Sequence, residues 1–347
     1  MTRRSPRQVA ITAIQYLIAA LALWWLLAQI EVAQAAQQLA SLDAPIVVGL
    51  LAVSLVGAVA QFGTWAAVLW PMQRVGLRAV ASVSLAVNFV NQLLPSRLSG
   101  RVAAPFLIRA ETGMEYADAT AVAGVHTGIY AIVYGVAATG GLIAIAATEP
   151  VSLGLLSVLA LSTGLYLAAG VLVVTAGTNL RVLDPIIERL AGAVAWVPRF
   201  GQRGAERIRG LTEVTESSTD GFRRLVADPG VWGRYGASWA VVLLLAPALR
   251  VWLMFQGLGV TFEPAVLLPL YLVAAYSVTL LPLSPGGVGV TEATATAVFV
   301  VLGVPADVVV PIVFIDRILG IYLPAVLGWI PAARLDLSNL ATGQNGG

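Results

Sequence analysis

The chain has 347 residues, of which 59% are apolar and 11% charged. A soluble domain carries about a quarter charged residues, so this composition excludes an ordinary water-soluble fold and points to membrane helices. The absence of cysteine rules out disulfides, thiolate metal sites and a cysteine nucleophile, and a single histidine rules out a multi-histidine metal site. All 20 basic residues are arginine.

Arg3, Arg4 and Arg7 precede an apolar run from Val9 to Ala28, and Ala33-Gln34-Ala35 resembles a signal-peptidase site. The run exceeds the about 7–15 residues of a signal core and suits a full span, so 9–29 is read as an uncleaved first helix. Further spans are expected at 44–70, 117–147, 151–176, 235–258 and 308–331. Two regions differ. Segments 79–94 and 99–112 are split by Leu94-Pro95-Ser96-Arg97-Leu98-Ser99-Gly100-Arg101, and segments 265–281 and 287–302 by Leu281-Pro282-Leu283-Ser284-Pro285-Gly286-Gly287. Such clusters stop helices, and each piece is near or below the length of a span. Broken helices at membrane depth must be buried in protein or line a cavity, so each region is read as a re-entrant hairpin. The expected fold is an all-α polytopic membrane protein with about six full spans and two re-entrant helical hairpins, eight or more hydrophobic helices in all. A single domain covers 1–340, overlapping a polar tail at 335–347.

With the N-terminus in the cytoplasm, 16 arginines fall on the cytoplasmic side. Four (Arg97, Arg101, Arg250, Arg317) lie within apolar or hairpin segments, and the outer loops carry only acids. The positive-inside rule then places both termini in the cytoplasm, in a plasma membrane. Residues 178–233 form the one long polar stretch, with eight arginines. It reads either as an amphipathic connector facing anionic headgroups or as a solvated linker.

Two halves of the chain, 44–147 and 235–331, rhyme. Leu93-Leu94-Pro95 matches Leu280-Leu281-Pro282, Gly113 matches Gly303, and Gly128-Ile129-Tyr130 matches Gly320-Ile321-Tyr322. Each unit is a span, a hairpin and a span, and the two enter from opposite sides. This is the inverted-topology pattern of secondary transporters, whose sites lie near the midplane between broken helices.

Charge at that depth is costly and faces a cavity or a partner. Arg97 and Arg101 flank the first hairpin tip, Arg317 sits in the last span beside Asp316, and Glu292 lies one turn into the half-helix after the second tip. Ser99-Gly100 and Gly286-Gly287, with Gly289, precede half-helices whose free N–H groups and positive dipole ends suit a phosphate or carboxylate. Arginine adds a planar fork for phosphate. These residues, with Pro282, are expected to form a buried anion site. The structural alternative is a Glu292–Arg317 ion pair with Arg97 snorkelling to the interface. Arg250 either snorkels or lines the cavity. Glu292, Asp316 and His126 are candidates for ion or proton coupling, with a packing role the competing reading for His126. Gly286-Gly-Val-Gly-Val-Thr-Glu292 lacks the preceding strand that a nucleotide-binding loop needs, and no nucleic-acid or cofactor motif is found.

At the two hairpins the sequence resembles the membrane region of lysylphosphatidylglycerol synthases, a family of flippase-like integral membrane proteins. The second hairpin, Pro282-Leu-Ser-Pro285-Gly286-Gly287-Val-Gly289-Val-Thr-Glu292 followed by Arg317, carries the family's Pro-x-x-Pro-Gly-Gly-x-Gly-x-x-Glu element. The first appears as Pro95 with Ser99-Gly100-Arg101, where Ser99 replaces the usual glycine. The resemblance implies translocation of an anionic lipid, either a phospholipid or a polyprenyl-phosphate. It implies no synthase activity, because the soluble aminoacyltransferase domain of the bifunctional synthases has no counterpart here. It leaves open a non-transporting partner that holds a lipid-modifying enzyme or glycosyltransferase at the membrane.

Overall fold

The structure is a computed structural model that describes residues 40, 42–93, 103–148, 150–179, 218–281 and 283–334. Among the described residues it is all-helical, with no strand, and five helices are long and apolar enough to cross a membrane. The span expected at 9–29 and most of the 178–233 connector lie outside the described residues.

Helix α1 (Ala44–Leu69) starts on proline in its first turn, where the missing N–H is not needed. Its face bearing Val48, Leu51, Leu55, Val56 and Val59 is exposed. That stripe would be a liability in water and is ordinary against lipid. Helix α2 (Leu77–Leu93) runs back from the same end. After the first tip come α3 (Ala104–Thr112), closed by Gly113 in a left-handed conformation, and α4 (Tyr116–Thr148). Helix α5 (Leu153–Thr178), capped by the Ser152 hydroxyl, returns antiparallel along α4. Helix α6 (Pro229–Gly257) is one span with a π-helical turn at Val241–Leu245. Helix α7 (Ala265–Leu280) leads to the second tip, where Pro285–Gly287 form a 3-10 turn. Helix α8 (Val290–Val301) follows and ends at Gly303, also at positive φ. Helix α9 runs from Ala306–Arg317 through a π-helical turn (Ile318–Tyr322) into Leu323–Arg334.

The helices meet at small residues, as apolar bundles in lipid do. A Cβ at Gly328 of α9 would land on the Leu85 carbonyl of α2, and one at Gly141 of α4 on the Leu270 carbonyl of α7. Antiparallel α1 and α6 approach at Gly57–Ala246 and Gly63–Ser238. These contacts fix the two ends of the bundle. Arg74, Arg78 and Arg234 share one end, whereas Asp43, Glu263 and Asp307 share the other. Among the described residues the apolar interior forms two large bodies and a small one around Phe89 and Ala325. One large body centres on Trp65, Val80, Tyr134 and Trp239, and the other on Phe255, Tyr271, Phe299 and Ile312. Polar side chains collect where they meet.

Candidate functional site

Asp316 and Arg317 are consecutive on α9, so they point about 100° apart and serve different partners. Asp316 turns toward α6 and α7. Its Oδ1 accepts from Arg250 Nε at 2.8 Å and pairs with Nη2 at 2.7 Å, and its Oδ2 accepts from the Tyr276 hydroxyl at 2.8 Å. Arg250 is 3% exposed and Asp316 2%, so the pair is shielded from solvent on both sides. Arg250 therefore lines the cavity rather than snorkelling.

Arg317, with 0% exposure, turns toward α8. Its Nε donates to Glu292 Oε1 at 2.9 Å, and its Nη2 to the Tyr322 hydroxyl at 3.3 Å and the Gly286 carbonyl at 3.4 Å. Tyr322 also donates to Glu292 Oε1 at 2.6 Å. The π-helical turn explains how Tyr322 reaches both. Five residues on in a regular α-helix, a side chain points about 140° away, and the wider turn brings it back toward the same face. The guanidinium lies 5.9 Å from the Tyr276 ring centre and 5.1 Å from that of Tyr322. Arg317 Nη1 is buried and has no hydrogen-bond partner among the described residues.

Glu292 also occupies the helix N-terminus expected to receive an anion. Its Oε2 accepts from the Gly289 N–H at 2.7 Å, one of the donors α8 leaves free. Gly286 and Gly289 have φ of 61° and 81°, a left-handed backbone that suits glycine. Gly286 also abuts Gln92 at the end of α2, so a Cβ there would strike the Gln92 carboxamide. The second tip therefore rests on the end of the helix that leads into the first. Gly287 packs against Thr279 and Thr291. Arg97, Ser99, Gly100, Arg101 and Pro282 lie outside the described residues.

A cavity of about 70 Å³ adjoins the Arg250–Asp316 pair, with polar walls from Gln61, Ser84, Asn88, Asn91 and His126 and ring walls from Trp65 and Tyr134. It has room for a few water molecules. A second chamber of about 40 Å³ shares Gln61, Asn88 and Arg250 with it. Gln61, Arg250 and Asp316 lie about two turns or more inside their helices, so the polar space is in the interior of the span. His126 stacks on Trp65 with ring centres 3.8 Å apart, and its Nε2 lies 3.4 Å from the Thr64 hydroxyl. The structure thus places His126 on the cavity with Asp316, and Glu292 with Arg317 on the other side of Tyr276.

Sequence reasoning did not pick out Tyr276, Tyr322, Gln61, Asn88 or Asn91. The i, i+3, i+4 spacing of Asn88, Asn91 and Gln92 in an apolar helix was the available signal, because it puts carboxamides on one face. Tyr322 was visible only as part of the Gly-Ile-Tyr repeat.

A helical bundle with lipid-facing apolar helices and a charged, polar interior within its spans is an integral membrane protein. The family described as lysylphosphatidylglycerol synthase TM region matches residues 12–328, and the chain belongs to it. Two UPF0104 membrane proteins of Methanothermobacter thermautotrophicus are similar. One is 27% identical over 183 residues (49% of this chain, 51% of the relative), the other 29% identical over 167 residues (43% and 49%). A UPF0104 membrane protein of Pyrococcus horikoshii is 30% identical over 94 residues (26% and 27%). The chain spans about half the length of the first of these relatives, or less. No solved structure matches.

Proposed function

We propose that the protein moves an anionic lipid headgroup across the membrane by alternating access. The observation that carries this reading is the pair of buried arginines inside the spans, Arg250 and Arg317, each held by a carboxylate beside a polar cavity or a hairpin tip. A binding site for a phosphate must not trap its cargo. Glu292 supplies a counter-charge that takes back Arg317 and the α8 N-terminus when the site empties. Arg97 and Arg101 on the first hairpin would complete the phosphate contacts, and Asp316 and His126 would sense the cavity's ionic state.

The repeat units supply the moving parts. Gly113 and Gly303, matched in the sequence, both close half-helices in left-handed conformations with φ of 70° and 85°. Both hairpins are built of pieces at or below the shortest span length, which supports a re-entrant reading. Basic residues at one end and acids at the other support cytoplasmic termini in a plasma membrane.

The test is flipping in proteoliposomes. Fluorescent phosphatidylglycerol and a polyprenyl-phosphate analogue are offered to purified protein, and access to an external quencher is followed. Protein-dependent flipping that disappears in folded Arg97→Ala plus Arg101→Ala upholds the reading. No flipping across the panel favours a non-transporting partner of a lipid-modifying enzyme.

A further inference from the structure

Between α1, α2 and α6, at the arginine-bearing end, the surface opens into a groove of about 730 Å³ with almost wholly apolar walls. It runs along α1 from Val59 to Trp70, about 16 Å of helix, which is the depth of one leaflet's hydrocarbon. Its floor is made of small residues, Gly63, Ala66, Ala67, Ala81 and Ala237. Two cations, Arg78 and Arg234, line its mouth. Arg78 is exposed, and Arg234 meets Asp228 only at 3.8 Å with both side chains about half exposed (54% and 43%). Phe62 lines the groove near its inner end. The same ring lines the 40 Å³ chamber that contacts Arg250.

We infer that this groove holds a single membrane lipid of that leaflet, with an acyl chain along α1 and its phosphate between Arg78 and Arg234. An apolar slot one leaflet deep, with two guanidinium groups at headgroup level, is complementary to a lipid phosphate and to its chain at once. Boundary lipid covers any membrane protein, but it has no reason to prefer one charge. The inference rests on the transport reading and deepens it by giving the cargo a loading position, next to the chamber that contacts Arg250.

Groove occupancy can be measured without transport. The chain has no cysteine, so Ala237→Cys gives a single thiol on the groove wall. Its maleimide reaction rate is followed in detergent with phosphatidylglycerol, with diacylglycerol of the same chains, and with inorganic phosphate. Phosphatidylglycerol should protect the thiol at about tenfold lower concentration than diacylglycerol, the effect of one charge-assisted contact, and inorganic phosphate should not protect. Arg78→Gln with Arg234→Gln should erase that preference, and the paired Arg→Lys changes should keep most of it. Equal protection by the two lipids, protection by neither, or protection by inorganic phosphate alone overturns the inference. Selective protection without flipping keeps the groove and sinks the transport reading. Flipping without selective protection sinks the groove alone.

Discussion

Arg250 of α6 and Asp316 of α9 are joined by two contacts to one carboxylate oxygen, at 2.8 and 2.7 Å, in the middle of the bundle. The pair ties together the helices that flank the polar cavity, and the Tyr276 hydroxyl fixes the other carboxylate oxygen.

Asp316→Asn should therefore destabilise the protein by about 3–5 kcal/mol, because Arg250 keeps its charge in a buried place and loses its partner. Arg250→Met combined with Asp316→Leu should recover most of that loss, since a well-packed apolar pair removes both desolvation penalties. Thermal unfolding in detergent, run as a double-mutant cycle, gives the coupling. Additive losses would show that the two charges do not support one another.

Glu292→Gln should cost stability, because Arg317 keeps a buried charge and loses its carboxylate, but less than Asp316→Asn, since Glu292 is partly exposed. The one carboxamide oxygen can still accept from the Gly289 N–H, so α8 keeps its cap, and the amide nitrogen then faces the Tyr322 hydroxyl, which can accept from it. What disappears is the negative charge that competes for Arg317. Anionic lipid should then bind about tenfold more tightly and leave more slowly, so flipping falls while binding rises. Binding by fluorescence titration and flipping by quencher access must move in opposite directions. A Glu292→Gln protein that flips at the wild-type rate removes Glu292 from the transport cycle.

Much of this architecture is written in the apolar runs. Four of the expected spans end within three residues of their helices; 44–70 became Ala44–Leu69, for example. The exception is instructive. The fifth, expected from 235, begins at Pro229, because Asp228 caps the helix N-terminus and proline suits its first turn. Hydropathy sees only the part of a helix that meets hydrocarbon. The Glu292–Arg317 pair was one of the two readings the sequence left open and is present, whereas the Arg250–Asp316 pair was not legible. Arg250 and Asp316 lie 66 positions apart, and nothing local says which carboxylate Arg250 will find. The π-helical turn at Ile318–Tyr322, which brings Tyr322 to Arg317, has no signature in composition.

Gly328→Val should destabilise by about 1–3 kcal/mol or more, since its side chain meets backbone that cannot rotate away. The Leu85 carbonyl belongs to α2, which carries the first hairpin, so the defect should push α2 off α9. Limited proteolysis near the first tip should quicken in parallel with the fall in unfolding temperature. Ordinary stability would show that α2 and α9 are not held this closely.

Phe62→Ala separates loading from passage. Phe62 is a lining residue of both the apolar groove and the chamber that contacts Arg250. Removing it should leave protection of the Ala237→Cys thiol by phosphatidylglycerol unchanged, because the phosphate contacts and the slot along α1 remain. Flipping should become faster, since removing the ring common to both linings opens the groove toward the chamber that contacts Arg250. If loss of the ring slows flipping, Phe62 acts as a support for the cavity wall, and the headgroup takes another route to Arg250. If it abolishes groove protection as well, the groove depends on Phe62 for its shape, and the ring is part of the binding wall rather than a gate.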